Sequence, residues 1–173
     1  MITKKIVLVG DFSTGKTSLI RRYVDNEFSD DYLTTIGVKI SKKILLLEES
    51  DVNIELQLMI WDIEGNTDSK PTNPAYIMGA HGLIIVADIT RNTSIKNIKL
   101  HIEECQKVVK DVPKILVLNK SDLIQTDEEL QTILQDLKNQ NLGVDYIFDS
   151  SAKDGKNVEK IFSKISETII TRR

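Results

Sequence analysis

The stretch "GDFSTGKTS", Gly10 to Ser18, has the spacing G-x-x-x-x-G-K-[ST]. In such a loop successive main-chain N–H groups turn inward around phosphate oxygens, and the positive end of the helix that follows adds to the attraction. The expected cradle is formed by Ser13, Thr14, Gly15, Lys16, Thr17 and Ser18. Lys16 would reach the terminal phosphates, and the Thr17 hydroxyl would ligate Mg2+. Phe12 stands where a small residue sits more easily, which raises two separate questions: whether the loop holds a nucleotide, and whether the site cleaves it.

Three later stretches carry complementary chemistry. In "WDIEG", Trp61 to Gly65, Asp62 follows an apolar run and is placed to hold Mg2+ through a water, while the Gly65 N–H can approach a third phosphate. In "NKSD", Asn119 to Asp122, the Asp122 carboxylate can accept hydrogen bonds from guanine N1–H and the exocyclic amine. Adenine lacks that pair of donors and would leave a desolvated carboxylate unpaired. Asn119 can bridge loops or contact the base, and the Lys120 stem can cover one base face. In "SSAK", Ser150 to Lys153, Ser151 and Ala152 follow a strand; the Ala152 N–H can donate to guanine O6, and Lys153 can pack near the base. The second and fourth strings recur often by chance, and their weight comes from their order and company.

Six short apolar runs must position these loops. "KKIVLVG" enters the first loop, and "GKTSLIRRYVDNEF" reads as the helix it opens. "VKISKKILLL" and "NIELQLMIWD" flank the polar stretch "EESDV" as a hairpin of two long strands. "GLIIVADI" and "PKILVLNK" are continuous apolar runs, as in parallel strands covered on both faces. Between them Ile95, Ile98, Ile102 and Val109 recur at helical spacing. "DEELQTILQDLKNQ" is a further helix, followed by strand "VDYIFDS" and a last helix, "NVEKIFSKISETIITRR". The alternation predicts an α/β fold: a mostly parallel six-stranded sheet with one antiparallel edge strand and helices on both faces. All four motifs then fall beyond the carboxyl ends of strands, where such sheets bind ligands.

The chain has 173 residues, the size of one domain, and no repeat, low-complexity stretch or linker divides it. Its net charge of −3, with no Lys/Arg block, argues against nucleic acid as a main partner. The apolar runs are too short to span a bilayer, and the N-terminal one leads straight into the phosphate loop, as a strand rather than a signal peptide does. One cysteine, Cys105, permits no internal disulfide and suits a reducing, cytoplasmic setting; it is expected to be buried and inert in a helix. His81 lies just before a strand and His101 on an expected helix surface, and neither has a neighbouring pattern for metal binding or a nucleophile triad.

Together the four loops, in this order and spacing, resemble those of the Ras-like small GTPases, a family of P-loop NTPases with a three-layer fold. "YLTTIGV" and "MGAHGLIIVADIT" look most like the Rab branch. The resemblance spans nearly the whole chain, residues 1–173, as a single G domain. It implies GTP and GDP as ligands with Mg2+, and Thr35 as the switch threonine that binds the metal and senses the third phosphate. It also implies that Phe28 stacks edgewise on guanine, that Tyr32 closes over the phosphates, and that Lys16, Thr35, Gly65 and Asn66 form the catalytic set. Effectors, exchange factors and GTPase-activating proteins would meet a monomer through Thr35–Ile40 and Trp61–Tyr76. Ile40, Trp61 and Tyr76 fall where Rab proteins carry an aromatic triad, with the first member aliphatic here.

Several departures bear on activity. Phe12 and Ser13 replace small residues, and Glu64-Gly65-Asn66 stands where the family has Ala-Gly-Gln, so the water-positioning glutamine is missing. Pro71 and Pro74 argue against a regular helix in "TDSKPTNPAY". The sequence ends "TIITRR" without a cysteine, and Ile2 follows Met1, so no lipidation signal is visible, and peripheral membrane association would need a lipidated tail trimmed from this sequence. Three readings follow: a guanine-nucleotide switch with slow GTP hydrolysis, a nucleotide-stabilised binding module without useful turnover, or an adenine-nucleotide kinase or ATPase if the base loop is accidental.

Overall fold

The computed structural model describes residues 1–31, 34–49, 52–67 and 71–172. The elements follow the order β1 (Ile2–Val9), α1 (Lys16–Asp25), β2 (Val38–Glu49), β3 (Val52–Ile63), α2 (Pro74–Ile77), β4 (Gly82–Asp88), α3 (Asn92–Val108), β5 (Lys114–Asn119), α4 (Asp127–Asn139), β6 (Tyr146–Asp149) and α5 (Val158–Thr171). One sheet contains all six strands in the order β2-β3-β1-β4-β5-β6. β2 and β3 are antiparallel, and every other neighbouring pair is parallel.

The alternation of β1 explains the layers. Ile6 and Leu8 point into the core shared with α1 and α5, where Tyr23 and Phe162 stack with ring centroids 4.0 Å apart. Val7 and Val9 point to the opposite core, with Ile98, Ile102 and Cys105 of α3 and Leu134 of α4. Every residue of β4 and β5 is buried, as their continuous apolar runs require. Cys105 is 2% exposed, and burial pushes its thiol up to about 12, so it is inert at neutral pH.

Two expected boundaries shift. The first helix stops at Asp25 instead of running through "NEF", because Asn26 adopts the left-handed conformation at φ 55°. Phe28 is thereby released from the helix and lines the pocket described below. The hairpin is longer than expected: pairing continues to Glu49 opposite Val52, so most of "EESDV" is strand. Past β3 a four-residue helix, Pro74–Ile77, does form, starting inside "TDSKPTNPAY", because Pro74 stands at its first position, where a missing N–H costs nothing.

β1 is central, with β3 on one side and β4 on the other. The chain direction therefore diverges at its carboxyl end, the switch point at which doubly wound sheets bind ligands. The loop at that point is Gly10–Gly15.

Candidate functional site

Between β1 and α1 the backbone takes left-handed values at Ser13 (φ 64°) and Gly15 (φ 91°). Gly15 is needed for space as well as for conformation, since a Cβ there would lie 2.2 Å from the Asn119 amide nitrogen. No side chain caps α1, so its first-turn N–H groups are left for a ligand. Lys16 is 5% exposed, with Nζ 3.1 Å from the Gly10 carbonyl and 2.8 Å from that of Asp11. Burial lowers its pKa to about 8, against the opposing pull of Asp62 and Asp11. Such a lysine gains from any phosphate placed beside it. Ser13 through Ser18 all line one pocket of about 280 Å3, together with Phe28, Asp122 and Lys153.

Three oxygens converge at the edge of this pocket. Thr17 Oγ1 lies 2.6 Å from Asp62 Oδ2 and 2.7 Å from Thr35 Oγ1, and Thr35 Oγ1 lies 3.2 Å from the same carboxylate oxygen. Asp62 Oδ1 is buried without a hydrogen-bond partner among the described residues. Burial raises the Asp62 pKa, while the Thr17 hydrogen bond and the Lys16 charge oppose that rise. An orphaned buried carboxylate oxygen beside two hydroxyls suits a hard cation with oxygen ligands that keeps some of its waters, which is the preference of Mg2+. The expected metal residues Thr17, Thr35 and Asp62 are thus brought together.

The base loop is braced by contacts across the fold. Asn119 is 2% exposed; its amide nitrogen donates to the Thr14 carbonyl at 2.9 Å, and its Oδ1 accepts from Ser150 Oγ at 3.3 Å and the Ala152 N–H at 3.2 Å. Asn119 is therefore a bridge between three loops. The Ala152 N–H, expected to face guanine O6, is here directed at Asn119 instead, although Ala152 still lines the pocket. Lys120, held at φ 68°, places Nζ 2.7 Å from Asp88 Oδ2 and 2.9 Å from the Ser13 carbonyl. Ser151 is fully buried and closes its own turn, its carbonyl accepting from the Gly155 N–H and its Oγ from the Asp154 N–H, without lining the pocket. Asp122 is exposed toward the pocket, as an acceptor awaiting a ligand would be.

The segment after β3 departs most from expectation. Gly65 packs on the phosphate loop so closely that a Cβ would meet Phe12 Cα at 2.5 Å. The Asn66 N–H donates to the Gly10 carbonyl at 3.1 Å, and its carbonyl accepts from the Phe12 N–H at 2.9 Å. Its side chain, however, turns away from the pocket: Oδ1 accepts from Thr72 Oγ1, and Nδ2 lies 3.4 Å from both His101 Nδ1 and Glu104 Oε2. Asn66 is therefore not in a catalytic position here, because these partners on the α3 side capture its amide. His101, expected on a helix surface, is 3% exposed; its Nε2 reaches Asp11 Oδ1 at 2.7 Å, and that partly buried carboxylate is what draws it inward. Glu64 likewise turns elsewhere, accepting the Gly37 N–H at 3.1 Å. Tyr32 lies outside the described residues.

Sequence reasoning missed the residues that hold these loops. Arg22 donates from Nε to the Ala152 carbonyl at 2.8 Å and from Nη2 to that of Lys153 at 2.5 Å. Arg91 donates from Nη2 to the Phe12 carbonyl at 2.8 Å and from Nε to Asp88 Oδ2 at 3.2 Å. Asp88 is buried, which pushes its pKa up, but hydrogen bonds from Lys120 and Thr90 prevail and hold it low. An acid ending a buried strand was the available signal for Asp88, and no local signal marks Arg22 or Arg91. On the outer face Ile40 pairs with Trp61 across β2 and β3, Lys5 Nζ sits 3.6 Å over the Trp61 ring, and Tyr76 packs at the edge of the α3-side core.

A phosphate cradle at the switch point of a mostly parallel sheet, with converged metal-binding oxygens and a base loop beyond β5, defines a P-loop nucleotide-binding protein. A model described as the Ras family matches residues 5–171. The chain is 36% identical over 166 residues to "GTP-binding protein YPTM1" of Zea mays, covering 95% of this chain and 77% of that protein. It is 35% identical over 167 residues to "Ras-related protein Rab-1" of Theileria annulata (95% and 73%) and 33% identical over 169 residues to "GTP-binding protein ypt1" of Schizosaccharomyces pombe (97% and 80%). The chain belongs to the Ras family of small GTPases, on its Rab branch.

Proposed function

We propose that the protein is a guanine-nucleotide switch that binds GTP or GDP with Mg2+, hydrolyses GTP slowly, and recruits effectors in its GTP form. The observation that carries this reading is the convergence of Thr17, Thr35 and Asp62, with Asp62 Oδ1 left unpartnered among the described residues, at the mouth of the phosphate loop. When bound, Mg2+ neutralises phosphate charge. The chain's own residues do the rest: main-chain N–H groups of 13–18 and Lys16 grip the phosphates, Asp122 selects guanine, and Phe28 packs at the base end of the pocket. Thr35 is the switch element, since it links a loop to the metal-binding oxygens and is released when the third phosphate is lost. Ile40, Trp61 and Tyr76 form the surface offered to effectors, on a monomer acting in the cytoplasm.

A second reading, a nucleotide-stabilised binding module without useful turnover, is favoured by the capture of Asn66 on the α3 side. Two measurements test both. Mass spectrometry of nucleotide co-purifying with the protein should find GDP or GTP; ATP or ADP would overturn the guanine assignment. Single-turnover hydrolysis of GTP, with and without candidate activating partners, separates a slow switch from an inert module.

A further inference from the structure

Asp11, His101 and Asn66 come from the phosphate loop, α3 and the segment after β3, yet they share one partly buried network. Asp11 lies within a loop whose purpose is to attract anions, so its own carboxylate needs strong donors. It receives two from α3: His101 Nε2 at 2.7 Å and Asn97 Nδ2 at 3.0 Å. The His101 side chain is 4% exposed and that of Asp11 15%. In the neutral ring, donation from Nε2 to the carboxylate leaves Nδ1 as the acceptor that faces the Asn66 amide nitrogen. Glu104 Oε2 faces the same nitrogen, and Thr72 donates to the other end of the amide. Two main-chain hydrogen bonds fix Asn66 to Gly10 and Phe12 from below.

We infer that His101 is a positioning residue: with Asp11 and Glu104 it latches the Asn66 amide against α3, out of reach of the phosphate pocket, and so holds down GTP turnover. The inference rests on the reading of the protein as a GTPase. Swinging Asn66 toward the pocket requires the Thr72, Glu104 and His101 contacts to be given up together, whereas the cradle of residues 13–18 is untouched. Loss of the latch therefore acts on hydrolysis and leaves affinity alone.

The test is single-turnover GTP hydrolysis by His101→Ala and Glu104→Ala, each in the native and in the Asn66→Ala background, with GTP affinity measured alongside. Expected are affinities within about twofold of the native protein and hydrolysis about fivefold faster with Asn66 present, the population shift that follows the loss of one net hydrogen bond. In the Asn66→Ala background neither change should accelerate hydrolysis, because no amide is left to release; a general loosening of the fold would act equally in both backgrounds. Unchanged rates in both variants with GTP still bound overturn the latch, as does equal acceleration without Asn66. If His101→Ala fails to fold, Glu104→Ala, which opens the latch from a partly exposed side chain, decides alone. Failure of the native protein to bind GTP overturns the GTPase reading instead.

Discussion

Thr17 Oγ1 donates to Asp62 Oδ2 over 2.6 Å while the other oxygen of that buried carboxylate has no partner among the described residues. The Thr17 hydroxyl would ligate a cation held here, and Asp62 would hold it through water. Thr17→Asn should therefore weaken GTP binding more than GDP binding, because the hydroxyl acts alongside the third phosphate. Loss of an interaction with a charged partner predicts a drop of about tenfold or more for GTP. The check is GTP affinity as a function of Mg2+ concentration, and an unaltered Mg2+ dependence in the variant would remove Thr17 from the site.

Base selectivity should rest on Asp122, which lines the pocket with its carboxylate exposed. In Asp122→Asn the amide offers a donor where guanine also donates, while xanthine presents a carbonyl at that position. GTP and GDP affinity should fall by about tenfold or more, the cost of leaving buried polar groups mispaired, and xanthine nucleotides should gain. Competition binding with the two nucleotide sets reads the exchange. Equal affinity of the native protein for ATP and GTP would sink the assignment.

Lys16 makes nucleotide binding pH-dependent in a definite direction. Its pKa is lowered to about 8, so the free protein loses that charge as pH rises through 8. Phosphates favour the ammonium form and raise the pKa in the complex, so binding takes up protons around and above pH 8. Affinity should fall with rising pH by up to about tenfold per unit in that window. The stability of the empty protein should move oppositely, rising between pH 8 and 10.5, because there the unfolded chain binds more protons than the folded one. Calorimetric titrations at pH 8.5 in buffers of different ionisation enthalpy measure the uptake, and a buffer-independent heat would contradict it.

What the sequence made legible was local. Motif spacing singled out Gly15, Lys16, Thr17, Asp62 and Asp122, because each lies at or just beyond the end of an apolar strand whose pattern is itself visible. The Phe28 position needed the end of α1, and Asn26, a residue tolerant of left-handed geometry, was a readable stop. The direction of the Asn66 amide was not readable, since His101 lies 35 residues away and Asp11 lies 90 from His101. His101 has a helical position compatible with either surface, and only the partly buried acid in the loop opposite decides which one it takes. The same holds for Lys120 with Asp88, and for Arg22 with the carbonyls of the last loop. Polar pairs buried between distant elements leave no periodic trace, whereas the apolar faces that bring those elements together do.

Phe12 should permit binding and restrain hydrolysis. Phosphate is gripped by N–H groups of residues 13–18, and the Phe12 main chain is engaged elsewhere: its N–H with Asn66 and its carbonyl with Arg91. Arg91 is in turn bound to Asp88, so this guanidinium is committed to bracing the loop. The Phe12 side chain, 38% exposed, stands at the wall of the pocket, in the space through which a partner's arginine would enter. In this superfamily such an arginine adds about 10³–10⁵ in rate. Asn66 is also one methylene, roughly 1.5 Å, shorter than glutamine, and its amide is held on the α3 side. The expectation is tight GTP binding, turnover no faster than that of an ordinary Ras-like protein, and stimulation by an arginine-supplying partner well below the usual range. Phe12→Gly with Asn66→Gln should raise intrinsic turnover and restore much of the partner's effect. Asn66→Gln alone should do less, because the longer amide still faces Thr72, His101 and Glu104 and the entry path stays narrowed. Single-turnover rates of the native protein and both variants, with and without the partner, order these effects. Fast hydrolysis by the native protein alone would overturn the account and shift the search for a water-positioning group to Glu64, whose carboxylate would first have to leave the Gly37 N–H.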